Sequence, residues 1–393
     1  MKIGLLTYHA VSNFGANLQA LSTVRCLQKR GIDVKVINWQ PSGLSRYYEK
    51  TVSSGQRRVH EDFAYQNLPL TRMCVSNEEV DSLLKEEEFD AIIVGSDAVF
   101  SYIPILSRIR LSRRTVLQYR GVTEDHDFPN PFWGCFIGNT SCKLFALSAS
   151  AQYLDIYKCL WFETRRLRKS LEKFQLIYVR DSWTKRVVDG LIDKEAMISP
   201  DPVFAFNDNV GELYTKKDIK AKYGLNERYV ILSFCSKHYD EKWYNELYGQ
   251  LVNLGLQVVN LAMPEGIVEI KSDIVIGVPL DPIEWYYIIK YSDGYIGQRM
   301  HPMIVALSNK VPFVLFDHYA YKNGRYENIS SKVWDILNRA DLLNQYVSMR
   351  RDIVAPSDCV SRLNTFNRNT AEEFVSAYSA RFHLTIDKIL SVI

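Results

Sequence analysis

Short apolar runs alternate with longer amphipathic ones from the first residues onward, and the same alternation restarts near residue 229. Lys2–Thr7 reads as a buried strand. A polar loop, Tyr8–Gly15, follows, then a helix over Asn17–Gly31 with Leu18, Leu21, Val24 and Leu27 along one face and Gly31 as its stop. Val34–Asn38, Ala91–Val94, Lys143–Ser148 and Leu176–Asp181 are further strands, and Glu78–Glu88 and Ser182–Leu191 are helices between and after them. Residues 41–72 read as a polar surface excursion with helical pieces, and residues 101–132 as a long, mobile, basic segment. Asp155–Phe174 has an apolar stripe made by Tyr157, Leu160, Trp161, Leu167, Leu171 and Phe174. The second series runs through strand Tyr229–Ser233, helix Glu241–Leu254, strand Val258–Ala262, helix Pro282–Tyr291 and strand Lys310–Phe316. The C-terminal region is mainly helical, over Ser330–Asn338 and Ala371–Leu390.

Apolar strands separated by amphipathic helices predict parallel sheets covered on both faces. At 393 residues the chain exceeds one ordinary core. The expected fold is therefore α/β, with two Rossmann-like doubly wound domains facing a cleft, the GT-B-like architecture. Residues 1–206 form the first domain, 207–227 a linker, 228–345 the second domain and 346–393 a helical tail.

Composition narrows the function classes. With 47% hydrophobic and 24% charged residues the chain reads as soluble and globular, and a net charge of +3 makes no case for nucleic acid. The seven cysteines are scattered without a Cys-x-x-Cys pair, which argues against zinc and thioredoxin-type sites. No apolar run approaches the ~20 residues that span a bilayer, and the sequence opens without a charged-then-apolar leader. A reduced cytoplasmic protein is expected. Basic clusters at 108–120 and 165–169 predict weak, salt-sensitive peripheral contact with the inner membrane face.

The chemistry concentrates in Ser292–Asn309. Gly294 and Gly297 suit a tight turn after a strand, Pro302 suits the first position of a helix, and Met303–Leu307 is too apolar for a surface helix. Arg299 and His301 are thus delivered to a strand's carboxyl end at a helix N-terminus, where open α/β sheets bind anions. Arg299 offers a planar fork for carboxylate or phosphate, and His301 a proton near neutral pH. The plainer reading is a surface charge and a capping histidine. Three further loops point to the same cleft: Tyr8–Asn17, Gly95-Ser96-Asp97 and Arg180-Asp181. No Gly-x-Gly-x-x-Gly follows the first strand, so NAD has little support.

Taken in order, several segments resemble the polysaccharide pyruvyl transferase family. They are Ile3–Tyr8 with Asn13–Ala20, Ile93–Asp97, Phe145–Ser150, Val179–Asp181, Asp201-Pro202 and Arg299-Met300-His301. The resemblance runs from residue 1 to about 318. It implies transfer of pyruvyl from phosphoenolpyruvate, as co-substrate, to two hydroxyls of a sugar in a surface polysaccharide or its lipid-linked precursor. The first domain would take the acceptor and the second the donor. On this reading Arg180 and Arg299 grip the donor's anions from opposite sides of the cleft and His301 is the general acid. Asp97 deprotonates or binds a sugar hydroxyl, unless it only caps the next segment. Asn13, Asn17, Ser96, Gln298 and Lys237 are expected to touch substrate. No metal or other cofactor is expected. Ala98-Val99-Phe100 and the basic insert at 101–132 depart from the family pattern on the acceptor side. Two alternatives stand beside this: a GT-B glycosyltransferase using a nucleotide sugar, with Glu284 as a ribose-gripping carboxylate, and a non-catalytic carbohydrate-binding protein.

Overall fold

The computed structural model describes all residues except 112–116, 137–141, 153, 319–320, 323–324 and 327–329. It contains two six-stranded sheets whose pairings are all parallel. The first is ordered Asp33–Val36, Lys2–Leu6, Ala91–Val94, Lys143–Ala149, Leu176–Val179, Met197–Ile198. The second is ordered Ile274–Ile276, Gln257–Leu261, Tyr229–Ser233, Gly294–Gln298, Phe313–Asp317, Tyr346–Ser348. Strands such as Ala91–Val94, Tyr229–Ser233 and Phe313–Asp317 are buried along their whole length, as β-rich apolar segments covered on both faces must be.

Each sheet reverses its winding at one place. In the first this lies between Lys2–Leu6 and Ala91–Val94, in the second between Tyr229–Ser233 and Gly294–Gln298. The loops leaving those four strands are Thr7–Asn13, Gly95–Asp97, Phe234–His238 and the turn at Arg299. Ligands of open α/β sheets bind in such crevices.

The halves share a core. One apolar cluster runs from Leu18 and Leu21 through Phe204 and Phe206 to Trp285, Tyr286, Met303 and Ile304, and on to Phe382 and Ile386 of the last helix. Phe14 stacks on Trp285 with ring centroids 4.9 Å apart. Gln56 of helix Ser54–Asn67 bonds both ways to the backbone of Leu280, at 2.9 and 2.6 Å. Asp335 of helix Lys332–Arg339 accepts from the backbone and hydroxyl of Ser182, at 2.9 and 2.7 Å.

Several sequence expectations are corrected. The first long helix is Phe14–Gln28 and starts before Asn17, because the Asn13 side chain accepts from Ala16 N and caps it. Helix Met300–Ser308 places Pro302 third and His301 second; an N–H is dispensable throughout the first turn. The 41–72 excursion is not merely surface, since Gln56, His60, Phe63 and Ala64 are buried. In the 101–132 segment, Ile109–Leu111 and Leu117–Tyr119 pair antiparallel, and Arg108 is buried against Asp127 at 2.8 Å. Arg113 and Arg114 lie outside the described residues. The 155–174 helix is only Trp161–Leu171, preceded by a separate turn at Ile156–Lys158, and this break leaves Tyr157 and Trp161 exposed. The 207–227 segment holds helices Phe206–Val210 and Lys216–Tyr223. The second sheet continues past residue 345 into Tyr346–Ser348, a strand too short for period-2 patterning to reveal.

Candidate active site

Where the two sheets' carboxyl ends meet, four ionisable side chains converge. Arg180 follows strand Leu176–Val179 and is almost wholly buried. Its guanidinium donates to Asp201 at 2.9 Å and to Asp97 at 3.2 Å. Asp201 has no exposed side-chain surface and lies 3.6 Å from His301 Nε2, which comes from the other half. Gln19 Nε2 also donates to Asp201, at 2.5 Å. The other oxygen of Asp201 accepts from Val203 N at 3.0 Å.

The His301 ring lies directly over Gly15, in the first turn of helix Phe14–Gln28. A Cβ at residue 15 would come within 2.0 Å of His301 Cγ and Nδ1. Glycine is needed there for close approach, not for an unusual φ. Nε2 is turned inward and buried, and among the described residues it makes no hydrogen bond, its nearest acid being Asp201 at 3.6 Å.

Burial pushes the Asp201 carboxyl up. His301, Arg180 and the Val203 N–H outweigh that and hold it well below the usual range. Burial also raises Asp97, but Arg180, Lys332 and His301 overcome it and bring the group down. Both acids therefore remain charged at neutral pH. Asp97 and Arg299 each have φ = 72°, a conformation non-glycine residues rarely adopt. Backbone strain of this kind costs on the order of 1–3 kcal/mol and gathers at functional sites.

A cavity of about 770 Å³ opens beside Asp97, lined by Tyr8, Asn13, Tyr48, Arg120, Asp125 and His126 among others. Tyr8 donates to Asp125 at 2.7 Å, and His126 Nδ1 lies 3.0 Å from the same carboxylate oxygen. Burial, with Asp125 and Asp97 nearby, pushes the Tyr8 and Tyr48 phenols up, so both stay protonated. The wall thus offers the aromatic rings of Tyr8 and Tyr48, with the Tyr8 hydroxyl already committed to Asp125.

The expected site residues separate into groups. Asn13 and Asp97 line this cavity. Arg299 lies on the second half's side: its Nε donates to Cys235 Sγ at 2.9 Å and its NH2 to Glu265 at 2.8 Å. Arg180 does not face open space, because its terminal nitrogens are held between two carboxylates. Asn17 is fully buried, donating to His9 O at 2.9 Å and meeting His60 Nδ1 at 2.5 Å. Gln298 is buried too: it accepts from Cys235 N at 2.7 Å and reaches Met349 Sδ at 3.4 Å. Ser96 is buried with a hydroxyl that has no partner among the described residues. Lys237 is exposed and paired with Glu241. Gly15, Asp201 and Lys332 were not among the expected site residues. Asp201 stood in the sequence only as part of the Asp201-Pro202 segment of the family resemblance, with no role attached, and Lys332 gives no local signal at all. Among the described residues no His, Cys, Asp or Glu cluster is arranged to hold a metal ion.

The family model for polysaccharide pyruvyl transferase matches residues 13–319. Comparison with curated proteins finds no match. Among solved structures the chain is similar to the UDP-GlcNAc 2-epimerase of Neisseria meningitidis bound to UDP-GlcNAc, with TM-score 0.54, 10% identity and 100% of each chain covered. It is similar to S. aureus MnaA in its UDP co-structure, with TM-score 0.52, 11% identity and 100% and 97% of the two chains covered. It is likewise similar to the spinosyn forosaminyltransferase SpnP, with TM-score 0.52, 11% identity and 100% and 99% covered. At such identities these likenesses establish the GT-B fold alone.

Proposed function

This chain belongs to the polysaccharide pyruvyl transferase family, and from that premise we propose that it moves the pyruvyl group of phosphoenolpyruvate onto two hydroxyls of a sugar, forming a cyclic ketal. The observation that carries the reading is the placement of His301. Its Nε2 is 3.6 Å from a buried, ionised Asp201 and its ring, coming from the second half, rests on Gly15 of the first. In the reaction His301 protonates the donor's methylene carbon while the first sugar hydroxyl attacks the adjacent carbon. The second hydroxyl then displaces phosphate and closes the ring. One hydroxyl proton balances the new methyl group, and the other leaves with phosphate.

Arg180 acts differently from the expectation that it grips the donor. It holds Asp97 and Asp201 in place, and Asp201 in turn orients the imidazole. Arg299 is the donor's anion ligand and exchanges Glu265 for the incoming carboxylate or phosphate. The acceptor sugar, lipid-linked or free, occupies the Tyr8–Asp97–Asp125 cavity. The glycosyltransferase alternative is weakened at Glu284, whose carboxylate is already bonded to Lys222 and Tyr223.

The test is phosphate release from phosphoenolpyruvate across a panel of lipid-linked and nucleotide-linked sugars. Release that requires an acceptor is expected. No release with any acceptor, together with a thermal shift by a nucleoside diphosphate but none by phosphoenolpyruvate, would reject the proposal in favour of sugar transfer. A second outcome concerns Arg299→Lys. A point charge keeps the attraction but loses the bidentate fork. Donor affinity should fall by up to about 2 kcal/mol, roughly thirtyfold in Kd. A titration calorimetry curve matching the wild type would remove Arg299 from the donor site.

A further inference from the structure

Two large aromatic side chains of the first half face solvent where a soluble protein has no internal use for them: Tyr157 is 81% and Trp161 73% exposed. They are not isolated. The turn Ile156–Lys158 packs against Ile105–Arg108, which carries exposed Leu106. Exposed Ile109 follows and pairs in register with exposed Tyr119. The buried carboxylate of Glu163 fastens the two parts together, accepting from Ile105 N at 3.0 Å and from Leu160 N at 2.8 Å. The result is one apolar, aromatic-rich patch on a firm support, of the kind that marks an interaction site.

Charge identifies what it meets. Helix Trp161–Leu171 buries Glu163, Leu167, Ser170 and Leu171. Its opposite face carries Trp161, Arg165 and Lys169 at successive helical turns, with Arg166 alongside. Its only acid is the buried Glu163. Among the described residues neither Arg165 nor Lys169 has an ion-pair partner. Aromatic rings bordered by unpaired cations match the level of a bilayer where acyl chains give way to anionic headgroups. Among the described residues no helix is long and apolar enough to cross a membrane, so any contact is made from one side.

The patch also borders the cavity. Ser107 and Arg120 line the cavity, while their chain neighbours Leu106 and Tyr119 are exposed in the patch. We propose that this surface docks the protein on an anionic lipid bilayer and turns the mouth of the Tyr8–Asp97 cavity toward the headgroups. Membrane docking does not depend on the identity of the donor, so it can fail or hold independently of pyruvyl transfer.

The experiment is co-sedimentation of the full chain with vesicles of phosphatidylcholine containing phosphatidylglycerol, at low and at physiological salt. Binding is expected at low salt, weakened by salt and by omission of the anionic lipid. The double variant Tyr157→Ser/Trp161→Ser and the double variant Arg165→Glu/Lys169→Glu should each reduce the partition coefficient at least tenfold. These side chains are exposed, so the melting temperature should not move. Trp161→Phe should abolish any lipid-induced blue shift in tryptophan fluorescence. Absence of binding at low salt, or wild-type binding by both double variants, would overturn the proposal and leave the patch to a protein partner.

Discussion

Replacing His301 by alanine is expected to lower turnover by roughly 10²–10⁴-fold while leaving the melting temperature nearly unchanged. The rate loss follows from the proposed role of His301 as proton donor, its ring joining Asp201 and Gly15 of the first half to the second. Stability should hold because Asp201 keeps its bonds to Arg180 and Gln19 when the ring is gone. A complementary variant acts from the other side. Gly15→Ala puts a methyl group 2.0 Å from the ring, which forces the imidazole off Asp201 without touching its chemistry. It should reproduce most of the rate loss, with donor binding retained. Phosphate release, donor titration and thermal unfolding on the same preparations separate these effects. If both variants turn over at the wild-type rate, the proton donor is some other group.

The second large effect is on stability. Asp201→Asn keeps the size and the cap on Val203 N but removes the charge facing Arg180. Depriving a buried ion pair of one partner costs about 3–5 kcal/mol, and because Asp97 still faces Arg180 the low end is expected. The change should also alter the acid limb of the stability curve. In the folded protein Asp201 titrates well below its ordinary value near 3.9. Its contribution is therefore complete above about pH 4 and is lost as the pH falls below that. Urea unfolding from pH 7 down to pH 3 should show a shallower acid slope for the variant. An unchanged slope and midpoint would mean the cluster is not holding a depressed carboxylate.

Much of the frame was legible because parallel strands declare themselves. Tyr229–Ser233 and Ala91–Val94 are where the apolar runs put them, and the order of strand and helix predicted two doubly wound sheets. The loops at their carboxyl ends were legible for the same reason. Individual roles were less so, since residue type does not reveal direction. Arg180 and Arg299 both follow strands, yet one is enclosed by carboxylates and the other lies in the opposite half with a thiol and a glutamate. Asn17 looked like sugar-binding loop chemistry, but it lies inside a helix and bridges His9 to His60. The need for glycine at position 15 depends on a ring from the other half of the chain. Trp161 was placed in an apolar stripe because the stripe assumed one continuous helix, and the turn before it breaks the register.

The last helix has a practical consequence for recombining this chain with a relative. Arg368–Leu390 follows the second sheet in sequence but packs on the segment Pro202–Ala205; its Asp387 pairs with Arg30 at 2.7 Å, and Lys143 bonds the carbonyls of Val392 and Ile393 beyond it at 2.7 and 3.0 Å. The piece that moves as a unit when two relatives are recombined is thus not a continuous stretch of chain. A hybrid joined once, in the segment between the sheets, would pair one parent's first sheet with the other parent's last helix. Hybrids that inherit residues 1–206 and 368–393 from the same parent keep those packed surfaces matched.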